Sequence, residues 1–139
     1  MLTRALTVFL SLVLATSASA QGLMADMHRD VTGVQKKFID LAKAIPEGAY
    51  SWHPNGARSV GEVFLHIAGE NYLIPIFMGR PAPAGINISA ADMKTVGAYE
   101  ARKLTKDQII AELEASFANL HAGMGLTTDT NLSENIKFF

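Results

Sequence analysis

"RSVGEVFLHIAGENY", residues 58–72, sets the architecture of this chain. Ser59 offers a hydroxyl to the free N–H groups of a helix start, and Glu62, three residues on, completes the capping box S-x-x-E. Val60, Val63, Phe64, Ile67 and Ala68 then recur at helical spacing and give the helix one apolar side. The pattern predicts a helix from Val60 to about 74, kinked or ended by Pro75 and over by Gly79. At 100° per residue His66 falls beside Val63, on the flank of the apolar face and not at its centre.

Upstream, Met27, Val31, Val34, Phe38, Leu41 and Ile45 alternate at spacings of four and three, a heptad-like stripe. Asp30, Gln35, Lys36, Lys37 and Asp40 form the solvated face between them, and Pro46 stops the pattern, so a helix is predicted over 23–44. The connection "PEGAYSWHPNGAR" (46–58) is rich in turn formers, and Tyr50 and Trp52 within it are expected to plug one end of a bundle. Downstream, "GRPAPAGINIS" (79–89) is a loop, and Ser89 with Asp92 marks a short helix across 90–101. Thr105 and Gln108 open a further helix whose apolar residues are Ile110, Leu113, Phe117, Leu120 and Met124, ended by Gly123 and Gly125.

The fold class is therefore all-α, with three main amphipathic helices and no credible strand. The link between the second and third main helices, about 25–30 residues, is far longer than an antiparallel hairpin needs. It has the length to carry the chain back along the bundle, so that these two helices run parallel. Three stripes of this width close best around a fourth helix. The expectation is a four-helix bundle with only three main helices in this chain, C-terminally incomplete, with self-association as a homodimer through the uncovered apolar surface.

Composition narrows the function. Arg4, the apolar run "ALTVFLSLVLA" (5–15) and the small residues Ala18, Ser19 and Ala20 read as a cleavable signal peptide over 1–20. The mature domain is then 21–139, secreted or periplasmic. A membrane span needs roughly 20 apolar residues, more than this run has, and no later stretch is long enough. With no cysteine there is no disulfide, thiolate zinc site, c-type haem attachment, cysteine nucleophile or lipoprotein anchor. The mature chain is mildly acidic without a Lys/Arg cluster, which speaks against a nucleic-acid partner.

Any metal must be held by His, Asp or Glu. Of His28, His53, His66 and His121, none belongs to an H-x-x-x-H or H-E-x-x-H pair. Glu62 and Glu70 each lie four residues from His66, so either carboxylate shares its helix face as a ligand or an orienting group. His53 sits in a turn, and His121 suits a helix C-terminus, where an imidazole is favoured; His28 has no assigned role. There is no G-x-S-x-G elbow and no Gly-rich phosphate loop.

The block "AIPEGAYSWHPNGARSVGEVFLHIAGENYLIPIFMGRPAP" (44–83) resembles the DinB superfamily of four-helix bundle metalloproteins. The landmarks are Pro46, Tyr50, Trp52, Pro54, Arg58, Ser59, Glu62, His66 and Asn71, and the similarity extends over 24–139. The resemblance implies an up-down-down-up bundle. It also implies that His66 is a ligand to a divalent metal such as zinc or nickel, with two partner histidines on a last helix that has no counterpart here. Characterised relatives include thiol-dependent transferases and isomerases, so a metal-dependent thiol transferase or a hydrolase acting on a small molecule is the implied function. Two rivals stand beside it. One is a periplasmic helical interaction module without catalysis. The other is a b-type haem-binding bundle with Met24 or Met27 and His121 as axial ligands.

Overall fold

The computed structural model describes residues 22–136, so the stretch 1–20, expected to be a signal peptide, and the closing phenylalanines lie outside the described residues. Four helices follow in order: α1 (Leu23–Ala44), α2 (Val60–Phe77), the short α3 (Lys94–Glu100) and α4 (Lys106–Met124), with a 3₁₀ turn at Glu47–Ala49. No strand occurs among the described residues, and the loop before α3 contributes one isolated bridge between Ser89 and Asp92. The all-α expectation holds.

The helix starts form as their caps dictate. Ser59 Oγ accepts from the Glu62 N–H at 3.2 Å, while Glu62 Oε2 accepts from the Ser59 N–H at 2.8 Å. Thr105 and Gln108 repeat the box at the head of α4. α1 differs, because its N-cap, Gly22, has no side chain to offer. Asp129, in the tail beyond α4, supplies the missing acceptor: its Oδ1 takes the Met24 N–H at 3.0 Å. A Cβ on residue 22 would lie 1.7 Å from Asp129 Oδ2, so only glycine leaves room for this cap.

α2 and α4 form the core pair. Gly61 lies against Ile109, Asn71 against Ser116 and Asn119, and Gly123 against Pro75, so residue numbers rise together and the two helices are parallel. α1 runs the other way along α4: Lys43 meets Glu114, Phe38 stacks on Phe117 and Gln35 reaches His121. The first three directions are up-down-down, as the long link requires. α1 and α2 each pack on α4 but hardly touch one another, so the three main helices occupy three corners of a square.

Pro75 does not end α2 at residue 74. The helix continues to Phe77 because α4 repairs the damage. Proline has no N–H to give the carbonyl of Asn71 four residues back, and that carbonyl accepts from Asn119 Nδ2 at 3.2 Å instead. Asn71 Nδ2 donates to Ser116 Oγ at 3.1 Å, and Asn119 Oδ1 accepts from Arg80 Nε at 3.0 Å. These groups are buried, so each bond replaces one that water would have made. Gly123, expected to terminate α4, lies inside it; a Cβ there would come within 2.6 Å of the Pro75 ring. Gly125 is the C-cap.

Two other expectations need correction. Tyr50 plugs the bundle end, donating from its hydroxyl to the Ala42 carbonyl at 2.6 Å, but Trp52 is 64% exposed. Tyr50 packs its ring on Phe64, and Trp52 contributes only its backbone carbonyl, to the Val60 N–H. On α1, Val31, Phe38 and Ile45 pack on the core, whereas Met27, Val34 and Leu41 stay exposed. With α2 at a diagonal corner, no helix among the described residues covers that side.

Replacing Asn119 by Ala strands the Asn71 carbonyl and is expected to cost about 1–3 kcal/mol. In a Pro75→Ala background the restored N–H satisfies that carbonyl, so the same substitution costs less. Urea denaturation of the four proteins measures the coupling, and simple additivity would contradict the repair. A second expectation concerns acid. Bonds from the Ser59 N–H, then from Lys103 and the Ser59 hydroxyl, hold the Glu62 carboxyl down to about 2. A depressed folded-state value means stabilisation that is complete above the ordinary value of 4.5 and lost as pH falls toward about 2. The advantage of the native protein over Glu62→Gln should shrink across that window in denaturation curves taken at stepped pH.

Candidate metal centre

His66 and Glu70 lie one turn apart on α2 and project from the same face. The third member of the site arrives from α3. α3 packs over Gly69, where a Cβ would be in ordinary contact with Tyr99 at 3.5 Å and Glu100 at 3.9 Å. Tyr72 and Tyr99 meet edge to face at 5.8 Å. Tyr99 then ties α3 to α4 by donating its hydroxyl proton to Glu112 Oε2 at 2.6 Å. Burial, reinforced by that carboxylate, pushes the Tyr99 phenol well above its ordinary range, so it remains a donor. Arg102 lies over the Tyr99 ring at 3.8 Å and donates to Glu112 Oε1 at 3.1 Å.

So anchored, the last residue of α3, Glu100, faces α2. Its Oε1 is 2.7 Å from His66 Nδ1, and its Oε2 accepts from Arg58 Nε at 3.2 Å and Nη2 at 3.0 Å. One ligand atom from each of His66, Glu70 and Glu100 lies within 4.8 Å of the other two. Donors bound to one ion at about 2.0–2.2 Å sit roughly 3–4 Å apart, so a small inward movement suffices. All three residues are half-buried, with the Glu100 side chain 13% and the His66 side chain 39% exposed. The set carries two carboxylate charges, one of them balanced by Arg58. One imidazole with two carboxylates suits a borderline or hard divalent ion and leaves coordination positions open.

The two glutamates one turn from His66 have different fates. Glu70 joins the cluster. Glu62 is committed to the Ser59 cap and to Lys103, 3.0 Å away. Glu100 was not visible in the sequence, because it lies 34 residues from His66 and no local spacing links them. His53 is exposed in its turn, with Nδ1 3.3 Å from the Pro54 carbonyl. His121 bonds Gln35 through Nε2 at 3.0 Å, and its ring lies 5.9 Å from that of His28. This pair is about two turns beyond the level of His66 along the parallel helices, apart from the cluster.

Two hollows adjoin the centre. A pocket of about 160 Å³ is lined by Arg58, Glu62, Gly97, Glu100 and Ala101, directly beside the cluster. A larger cleft of about 590 Å³ lies around the starts of α2 and α4 and shares Glu62 with it. The smaller hollow touches a ligand candidate, and so is the one placed to receive a reacting group. No protein-family model, curated protein or solved structure matches the chain.

Proposed function

We propose that this protein is an exported, DinB-like metal-binding helical bundle that holds a divalent ion, zinc or nickel, through His66, Glu70 and Glu100. The convergence of these three side chains from two helices carries the reading. The resemblance over 44–83 supports it independently, because it singles out His66 as a ligand from residues that include neither Glu70 nor Glu100. In the family the partners of that histidine are two further histidines; here Glu70 and Glu100 are the side chains that lie within reach of it.

When bound, the ion supplies Lewis acidity and lowers the pKa of a coordinated thiol or water, the chemistry of a thiol transferase or a hydrolase. The chain's own residues do the rest. Glu100 holds His66 in place through the Nδ1 contact until an ion would take the place of that bond, and Arg58 holds the second oxygen of Glu100 so that the first faces the cluster. Arg58 is half-exposed beside the smaller pocket, where its remaining N–H groups are free to orient an anionic group of a small substrate.

Titration with Zn²⁺ or Ni²⁺ by calorimetry is expected to give one ion per chain. His66→Ala should abolish binding, and Glu70→Gln or Glu100→Gln should each weaken it roughly tenfold or more. Glu62→Gln should leave it unchanged. Equal uptake by His66→Ala and the native protein would refute the assignment.

A further inference from the structure

Away from the cluster on α2 and α3, the structure brings two more imidazoles together. His28 on α1 and His121 on α4 lie with ring centres 5.9 Å apart and ring planes 13° from parallel. They come from helices that run in opposite directions, so nothing in their spacing along the chain links them. Both are half-buried, reachable from solvent yet held by the packing around them.

The surroundings leave these rings with nitrogen lone pairs to give. Gln35 Oε1 can only accept, so His121 Nε2, 3.0 Å away, carries the proton and donates. His121 Nδ1 therefore keeps its lone pair. An outward N–H fixed on an amide oxygen is how metal-binding histidines are commonly oriented. On His28 only the backbone carbonyl is engaged, by the Thr32 hydroxyl, and among the described residues neither ring nitrogen has a hydrogen-bond partner.

The separation suits a shared ion. With metal–nitrogen bonds of about 2.0–2.1 Å and a ring centre about 1.2 Å behind its nitrogen, the two centres lie roughly 4.5 Å apart for bonds at right angles and roughly 6.4 Å for bonds in line. The observed 5.9 Å falls inside that span. Rotation of the rings about their side-chain bonds is enough to turn one nitrogen of each toward a common point. No third His, Asp or Glu joins the pair among the described residues, so its donors are nitrogen alone. Such a set disfavours calcium and magnesium, and of the first-row divalent ions copper binds nitrogen most tightly.

We propose that His28 and His121 form a second metal site, a two-imidazole clamp for a copper(II) ion that fastens α1 to α4. The remaining coordination positions go to water. α1 is held to the bundle mainly through α4, so an ion bridging these two rings reinforces the contact on which its placement depends. The inference stands apart from the first centre, with which it shares no residue.

Copper also favours the first centre, so the test uses Cu²⁺ with the His66→Ala protein. One ion per chain is expected, with an electron paramagnetic resonance spectrum that shows two coordinated imidazole nitrogens. His28→Ala and His121→Ala should each weaken uptake at least tenfold, whereas His53→Ala, an exposed single imidazole, should leave it unchanged. Gln35→Leu should weaken it several-fold and Gln35→Glu, which keeps the acceptor, should not. Copper should raise the thermal midpoint by several degrees only where both rings are present. The His28 ring makes no hydrogen bond, so His28→Ala should melt like its parent without metal and serves as the decisive variant. Copper that binds and stabilises His28→Ala as well as its parent overturns the proposal, and so does a spectrum with a single imidazole.

Discussion

The bundle depends on a single missing hydrogen. Pro75 deprives the Asn71 carbonyl of its intrahelical donor, and the carbonyl is buried where water cannot replace it. Asn119 on α4 satisfies it, and Gly123 one turn later makes room for the proline ring. A proline on one helix and an Asn/Gly pair on the other therefore fix which helices pack, in which direction and in what register. Slipping α4 by one residue would strand the carbonyl and drive a side chain into the ring. Apolar packing alone tolerates such slips far better, because it is not directional. The same register sets the level of Glu112, which holds Tyr99, which places Glu100 against His66.

What the sequence made legible follows the range of the interactions. Capping boxes and apolar spacings act within four residues, so the three main helices, their starts and the parallel sense of α2 and α4 could be read directly. Whether Pro75 kinks or ends the helix could not be read, because its local rule is a prohibition and the exemption comes from Asn119, 44 residues away. Trp52 was misread for a similar reason: nothing local says which of the two aromatic residues turns inward. The site was half legible. His66 and Glu70 share a helix face by spacing, while Glu100 reaches them only through the docking of α3, a seven-residue helix with no periodic signal of its own. Glu62 matched Glu70 in spacing and differed only in having a prior commitment to the cap.

The electrostatics of the cluster follow from that economy of carboxylates. Two acidic groups near one imidazole repel each other unless a cation intervenes, and without an ion that cation is Arg58. Arg58 sits just ahead of the Ser59 cap, so the residue that neutralises Glu100 is placed by the turn that starts α2. One short stretch thus begins the helix, carries two members of the site and restrains the third.

The cap on α1 has a consequence for how the molecule comes together. A chain leaves its site of synthesis N-terminus first, so α1 is present long before Asp129. Until that residue arrives, the first turn of α1 has no side-chain acceptor and a glycine at its head, the combination most prone to fraying. Closure of the tail over Gly22 is thus a late event, because the two ends of the bond from Met24 to Asp129 are made far apart in time. It makes the most local of elements, a helix start, report on whether synthesis has passed the end of α4.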